Sequence, residues 1–297
     1  MNKVSVVVAT YRREVALSRA LESLAQQTYG NFEIVLVDDN SKLEENQKVS
    51  KIVENFKAKY PNVEIQYIIN ENNQGSAKTR NIGIEASKGE YVTFLDDDDI
   101  YMPCKIENQL QFMVENQLDY SITDLYLYNE NDKLVDKRIR TFIEDTSSNA
   151  LLNYHMKYHL TGTDTMMFKK EYLLAIGGFA PIDVGDEFYL IKRAIDGNGK
   201  FGYLNICDVK AYIHTGENEG LSSGDKKIEG ENILYEYKKE FFHLLDKKTI
   251  RYIKMRHFAV LAFAEIRRKR YGAFLKYALK SFFIAPVACI KMYFCSR

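Results

Sequence analysis

Four aspartates in a row, Asp96-Asp97-Asp98-Asp99, follow the apolar run Tyr91–Leu95. Adjacent carboxylates repel one another, so charging them together calls for a cation or a dense set of hydrogen-bond donors. In an extended segment alternate residues share a side, which would pair Asp96 with Asp98. Oxygen donors of this kind suit hard divalent ions such as Mg²⁺ or Mn²⁺, which commonly share one or two carboxylates with a phosphate. An ion bridging a diphosphate neutralises it as a leaving group. The residues alone leave a solvated acidic loop or a helix N-cap equally open.

Other clusters invite the same two-sided reading. Asp38 and Asp39, followed by Asn40-Ser41, could accept hydrogen bonds from a base or ribose, or form an ordinary turn. Lys78 and Arg80 follow Asn73-Gln74-Gly75 and could pair with phosphates; on an isolated helix they would be surface charges. Asp186 and Glu187 open a helical stretch, where acidic residues complement the dipole or serve as a general base for an attacking hydroxyl. His214 precedes a Gly/Ser-rich loop through Gly224 with the composition of an active-site lid, although a lone histidine is as readily structural.

The elements that must position these groups alternate. Val4–Ala9 and Phe32–Val37 are apolar runs expected of strands buried on both faces, Val63–Ile69 and Tyr91–Leu95 two further strands. Leu17, Ala20, Leu21 and Leu24, then Val49, Ile52, Val53 and Phe56, then Ser76–Ser87 mark the intervening helices. This is the pattern of a parallel, doubly wound α/β sheet. In such sheets ligands bind beyond the carboxyl ends of the strands, where Thr10-Tyr11, Asp38-Asp39 and Asp96–Asp99 fall. There is no GxGxxG turn and no GxxxxGK[ST] loop, which argues against NAD-type and P-loop chemistry. Farther along, the sequence predicts a helix through Ile106, Leu110 and Met113, one strand over Tyr120–Tyr128, loop and helix over Asp145–Tyr158, a short strand at Thr165–Phe168, a helix over Phe188–Ile195 and one or two strands from Tyr203 to His214.

Composition bounds the rest. The chain is 46% apolar and has no net charge, so it is expected to bury a core. Cys104, Cys207, Cys289 and Cys295 form no CxxC pair, which suggests reduced thiols in a cytoplasmic setting, and no signal-peptide pattern opens the chain. Charge is uneven: from Lys247 to Arg297 there are 13 Lys or Arg and one acidic residue, Glu265. After about Gly230 the pattern is helical. The longest uncharged run there, Ser281–Ile290, falls short of the ~20 residues that span a bilayer. Basic residues alternating with Phe, Leu and Tyr suit a helix lying in a membrane interface; packing against the preceding domain is the alternative, and nucleic acid is not the expected partner.

In this order, Val4–Tyr11, Phe32–Ser41, Asn73–Gly83, Gly89–Asp99, Ile176-Gly-Gly-Phe179 and Gly185-Asp186-Glu187 resemble the motifs of glycosyltransferase family 2, inverting enzymes of the GT-A fold, over roughly residues 3–215. The resemblance implies a Rossmann-like α/β domain over 1–230, with a nucleotide-binding half (1–100) and an acceptor half (101–230), and a basic amphipathic helical tail over 231–297. It implies a nucleotide-sugar donor, most often a UDP-sugar, a glycan or lipid-linked acceptor, a Mg²⁺ or Mn²⁺ cofactor, and work in cell-surface polysaccharide synthesis at the inner membrane face. Thr10, Tyr11, Arg13, Asp39, Gly75, Lys78, Arg80, Asp96 and Asp97 would bind the nucleotide. Asp98 and His214 would attend the metal. Glu187 would be the base by position, but the family commonly has Glu-Asp where this chain has Asp186-Glu187, so Asp186 stays open. A sugar nucleotidyltransferase and a non-catalytic assembly factor on the same fold are the rival readings; the first lacks its usual Gly-rich, Arg-containing loop, and the intact acidic clusters oppose the second.

Overall fold

A computed structural model describes residues 2–182, 185–213 and 224–294 of the 297-residue chain. In chain order its elements are β1 (Val4–Thr10), α1 (Glu14–Ala25), β2 (Phe32–Asp38), α2 (Leu43–Lys59), β3 (Glu64–Ile69), α3 (Ser76–Ala86), β4 (Tyr91–Phe94), β5 (Ile100–Tyr101) and α4 (Lys105–Glu115). There follow β6 (Tyr120–Thr123), β7 (Leu125–Asn129), β8 (Leu134–Arg138), α5 (Ser148–Tyr158), β9 (Met166–Lys169), α6 (Lys170–Ala175), α7 (Asp186–Asp196), β10 (Phe201–Leu204) and β11 (Val209–Ile213). The helices α8 (Gly224–Glu240), α9 (Lys247–Arg267), α10 (Tyr271–Ile284) and α11 (Pro286–Phe294) complete the described chain.

Two compact units result: residues 1–146 with 160–213, and residues 147–159 with 214–297. The first holds a sheet of order β10-β6-β9-β4-β1-β2-β3 and a smaller one of order β5-β11-β7-β8. Strands β1, β2, β3 and β4 run parallel, and β9 enters antiparallel between β4 and β6. The expected mainly parallel α/β architecture is therefore present. Successive side chains of a strand leave opposite faces. Accordingly Val4, Val6 and Val8 of β1 join a core with Leu17, Leu21 and Leu24 of α1 and Val49, Val53 and Phe56 of α2, whereas Val7 meets Gly83 of α3 on the other side.

The expectation of one strand over Tyr120–Tyr128 is corrected. Asp124 ends β6, and its Oδ1 accepts from Arg140 N at 3.0 Å and Tyr203 Oη at 2.8 Å. The chain then turns into β7, which belongs to the smaller sheet. That sheet pairs short and partly polar strands, two of which, β5 and β8, carry no periodic signal.

In the second unit α9 is the longest helix, and α5, from mid-chain, groups with it and the later helices. Asp246 caps α9, its Oδ1 accepting from Thr249 N at 2.6 Å. Ser281 Oγ of α10 donates to the Met255 carbonyl of α9 at 2.9 Å. Tyr235 stacks on His257 at 3.9 Å between ring centres. Among the described residues no helix is long and apolar enough to cross a membrane.

Helix α3 lies so close to β1 that a Cβ at Gly83 would stand 2.4 Å from Val7 Cγ1. Gly83→Ala should destabilise the protein by about 1–3 kcal/mol, as overpacking does. Urea unfolding would show this as a lower midpoint at unchanged slope; an unchanged midpoint would mean that α3 can shift off the strand.

Candidate functional site

The carboxyl ends of β1, β2 and β4 lie side by side. Thr10 is in register with Asp38, Asp39 N donates to the Thr10 carbonyl at 2.9 Å, and Leu95 N donates to the Val7 carbonyl at 3.1 Å. The chain then enters the aspartates. They are not extended: Asp99 N returns to the Asp96 carbonyl at 3.1 Å, so the segment is a turn. The alternation that would have set Asp96 beside Asp98 is replaced by a fan of carboxylates.

Each carboxylate has its own partners. Asp97 accepts from Thr10 Oγ1 (2.8 Å), Tyr11 N (3.3 Å) and Arg13 Nη1 (3.3 Å). Asp98 pairs with Arg13. Asp96 pairs with Arg80 Nη2 at 2.6 Å, and its backbone N donates to Asp164 Oδ1 at 2.6 Å. Asp99 accepts from Tyr212 N at 2.8 Å. Oxygens of Asp96, Asp99 and Asp164 lie within 4.8 Å of one another. Burial and mutual repulsion act together here. Burial, reinforced by Asp98 and Asp96 against the pull of Arg13, pushes Asp97 up to about 7. Burial, then Asp96, pushes Asp164 up to about 7. Burial also raises Asp96 and, with Asp164 adding to it, Asp99.

The opposing charge comes from α1 and α3. Arg13, the residue before α1, is held protonated, since Asp98, Asp97 and Asp96 outweigh the burial that opposes its charge. Arg80 bridges Asp96 and Asp186, the latter at 2.5 Å, and rests 5.4 Å from the centre of the Phe179 ring. Asn81 clamps Phe179, donating to its carbonyl and accepting from its N–H, both at 2.9 Å. Phe179 in turn packs edge-on against Phe94 at 5.1 Å. The Ile176-Gly-Gly-Phe179 motif thus supplies the floor beneath Arg80.

Asp39 braces the entry to α3. It accepts from Asn70 Nδ2 (2.7 Å), Gln74 N (2.8 Å) and Gly75 N (3.0 Å). Gly75, with φ of 79° and ψ of 164°, adopts a backbone conformation open essentially to glycine alone. Asp38 is fully buried and holds Asn46 Nδ2 at 2.9 Å and Tyr67 Oη at 2.7 Å. Lys78 is exposed on α3 and Tyr11 is exposed beside the acidic turn.

At the start of α7 the two acidic residues divide. Asp186 is buried and accepts from Ser76 Oγ (3.0 Å) and Arg80, and its other oxygen takes Glu187 N at 2.9 Å. Glu187 is half-buried, and burial followed by the neighbouring Asp186 pushes its carboxyl up to about 8. One carboxylate is committed to an arginine; the other is a weak acid near neutrality, suited to moving a proton.

The donor set is oxygen only, with Asp96 the most exposed member at 33% of its side chain, and its charge is only partly offset by Arg13 and Arg80. It fits a hard divalent ion. Thr10, Arg13, Asp97 and Asp98 form one hydrogen-bonded set and Arg80, Asp96 and Asp186 a second, joined through the backbone of the aspartate turn, with Asp39 and Gly75 at the start of α3. His214 lies outside the described residues. Sequence reasoning missed Asp164, Ser76, Asn70 and Lys105. Lys105 is buried, donates to Thr93 Oγ1 at 3.0 Å, and is pushed down to about 7 by burial. Nothing local marks these residues; they reach the site only through packing.

A mainly parallel α/β domain with an acidic turn at its strand ends sets a candidate ligand site at the carboxyl edge of the sheet. The Glycosyl transferase family 2 model matches residues 5–189, and the chain belongs to that family. An uncharacterized glycosyltransferase of Haemophilus influenzae is 34% identical over 193 residues, 63% of this chain and 60% of the relative. The UDP-Glc:alpha-D-GlcNAc-diphosphoundecaprenol beta-1,3-glucosyltransferase WfgD of Escherichia coli is 30% identical over 128 residues, 43% of this chain and 47% of the relative. The chain thus spans less than two thirds of either. The fold is similar to that of Staphylococcus aureus TarS in complex with UDP-GlcNAc (TM-score 0.61, 19% identity, 95% and 91% of the two chains). It is also similar to that of the mannosyltransferase PcManGT of Pyrobaculum calidifontis in complex with GDP-Man and Mn²⁺ (TM-score 0.58, 18% identity, 100% and 88%). The GT-A fold expected from the motifs is the fold found.

Removing Arg80 leaves Asp96 and Asp186 without their shared cation. Arg80→Ala should lower stability by about 3–5 kcal/mol, as loss of one partner of a buried pair does. Thermal unfolding should show the deficit narrowing as the pH is lowered, because Asp96, already raised, takes up a proton. A deficit independent of pH would mean that lost packing on Phe179, not charge, is responsible.

Proposed function

We propose that the chain is a metal-dependent inverting glycosyltransferase that moves a sugar from a nucleotide-sugar, a UDP-sugar in the first instance, to a hydroxyl of a glycan or lipid-linked acceptor in cell-surface polysaccharide synthesis. The observation that carries this reading is the Arg80 bridge. It ties the acidic turn, where a diphosphate and its cation would sit, to Asp186 and the adjacent Glu187, where a proton would be taken. TarS with UDP-GlcNAc, PcManGT with GDP-Man and Mn²⁺, and the lipid-diphosphate acceptor in the name of WfgD support the donor, metal and acceptor classes.

Each residue then has a task. Tyr11 offers an exposed ring to the base, Thr10 and Asp97 shape the strand end beside it, and Asp39 holds the Gln74-Gly75 turn. Lys78 offers an exposed cation to the donor phosphates, and Arg80 aligns Asp96 with Asp186. Mg²⁺ or Mn²⁺ held by Asp98 and Asp96, with His214 in attendance, would neutralise the departing nucleoside diphosphate. Glu187 takes the proton of the acceptor hydroxyl as that oxygen attacks the anomeric carbon, and Asp186, engaged by Ser76 and Arg80, keeps the start of α7 in place. Direct displacement inverts the anomeric centre. A lipid-linked acceptor would bring the enzyme to the cytoplasmic face of the membrane.

Calorimetric titration with UDP should show binding that needs Mn²⁺ or Mg²⁺ and that Asp98→Ala loses. Binding of GDP in place of UDP would move the donor to a guanosine sugar, and binding of neither would reject the donor site. With the donor identified, kcat/KM should rise with pH and level off at or below about 8, because Glu187 works deprotonated and a nearby cation lowers its pKa. Glu187→Gln should lower the rate by about 10²–10⁴-fold and abolish that limb. A limb that survives in the Gln variant would transfer the role to another group, and a product of retained configuration by NMR would exclude direct displacement.

A further inference from the structure

Helices α10 and α11 expose apolar side chains along one side. Tyr271 (66% exposed), Leu275, Leu279, Phe282 and Phe283 (75%) follow one another at helical spacing, and Val287 (69%) and Ile290 continue the row on α11. At 3.6 residues per turn the α10 members fall within an arc of about 120°. Lys276 and Lys280 stand exposed at its edge. The other side of the pair is accounted for within this unit: Ser281 and Cys289 are buried, and Tyr277 stacks on Phe258 of α9 at 6.2 Å. The apolar row is therefore not an inward face left bare.

Charge says what covers it. The row begins at the basic turn Arg267-Arg268-Lys269-Arg270. Glu265, the single acidic residue from Lys247 onward, is spent on Arg268 at 3.4 Å and Arg270 at 4.0 Å. A second copy pairing isologously through this row would bring its own lysines against these. A surface of opposite charge with an apolar interior meets both features at once.

We propose that the α10–α11 row lies in the headgroup–acyl boundary of a bilayer containing anionic lipid, with Lys276, Lys280 and the 267–270 turn at the lipid phosphates. None of the residues of this row is assigned to the donor site, so the proposal stands or falls independently of sugar transfer.

The test is co-sedimentation of the full chain with vesicles of phosphatidylcholine alone or mixed with phosphatidylglycerol. Binding is expected to the mixed vesicles, weakened by salt, and at least about tenfold weaker to the neutral ones. Phe283→Glu should cut it at least about tenfold by placing charge in the apolar row. Lys276→Ala with Lys280→Ala should cut it about thirtyfold on anionic vesicles. All of these residues are exposed, and circular dichroism of each variant confirms that a loss is not unfolding. A native chain that stays in the supernatant with mixed vesicles at low salt overturns the proposal, as do variants that bind like the native chain. A dimer by light scattering that Phe283→Glu dissociates, without vesicle binding, overturns it in favour of a second copy.

Discussion

The site is governed by mutual repulsion among carboxylates brought to one end of a parallel sheet. Asp96, Asp97, Asp98, Asp99, Asp164 and Asp186 share a small volume, and burial sharpens the repulsion by removing water. Two guanidiniums answer it. Arg13 takes Asp97 and Asp98, and Arg80 takes Asp96 and Asp186. Much of the surrounding architecture serves to place these two cations. Gly83 lets α3 approach β1, Gly75 and Asp39 set where α3 begins, and the Asn81–Phe179 clamp builds the surface on which Arg80 rests.

The pairing also separates two neighbouring acids. Asp186 and Glu187 are adjacent in sequence and similar in chemistry. Asp186 is engaged by Ser76, Arg80 and the Glu187 N–H. Burial, then the neighbouring Asp186, outweighs the pull of Arg80 on Glu187, whose carboxyl holds its proton up to about 8. Two adjacent acids of similar chemistry thus stand in different environments. The turn at Asp96–Asp99 works similarly: Asp99 and Asp164 spend themselves on the backbone of β11 and of Asp96 itself, leaving Asp96, Asp97 and Asp98 as the carboxylates of the turn engaged by arginines.

The second unit obeys a different physics. Its helices bury one side through Met255, Ala259, Ser281 and Cys289 and present the other as an apolar row edged by lysine. A face of this kind is costly in water and neutral in lipid. Its charge and its hydrophobicity are two parts of one surface.

Much was legible in the sequence because the signals are short-range. Continuous apolar runs identify parallel strands, helical periodicity identifies α1 to α4, and the strand ends announce where Thr10, Asp39 and Asp96 must lie, since topology carries them to one edge. The basic, aromatic tail was equally plain from its spacing. Less was legible where partners are distant. Asp124 divides an apparent strand through bonds to Arg140 and Tyr203, and β5 and β8 are too short or too polar to signal at all. Asp164 joins the acidic turn from the entry to β9, the strand paired with β4, and α5 joins the C-terminal helices from mid-chain. Composition and periodicity determined the class of fold, the end of the sheet that gathers the acidic residues and the amphipathic character of the tail. Only the tertiary structure decided which carboxylate each arginine neutralises and how firmly Glu187 holds its proton, because charge and desolvation depend on distances that local sequence does not encode.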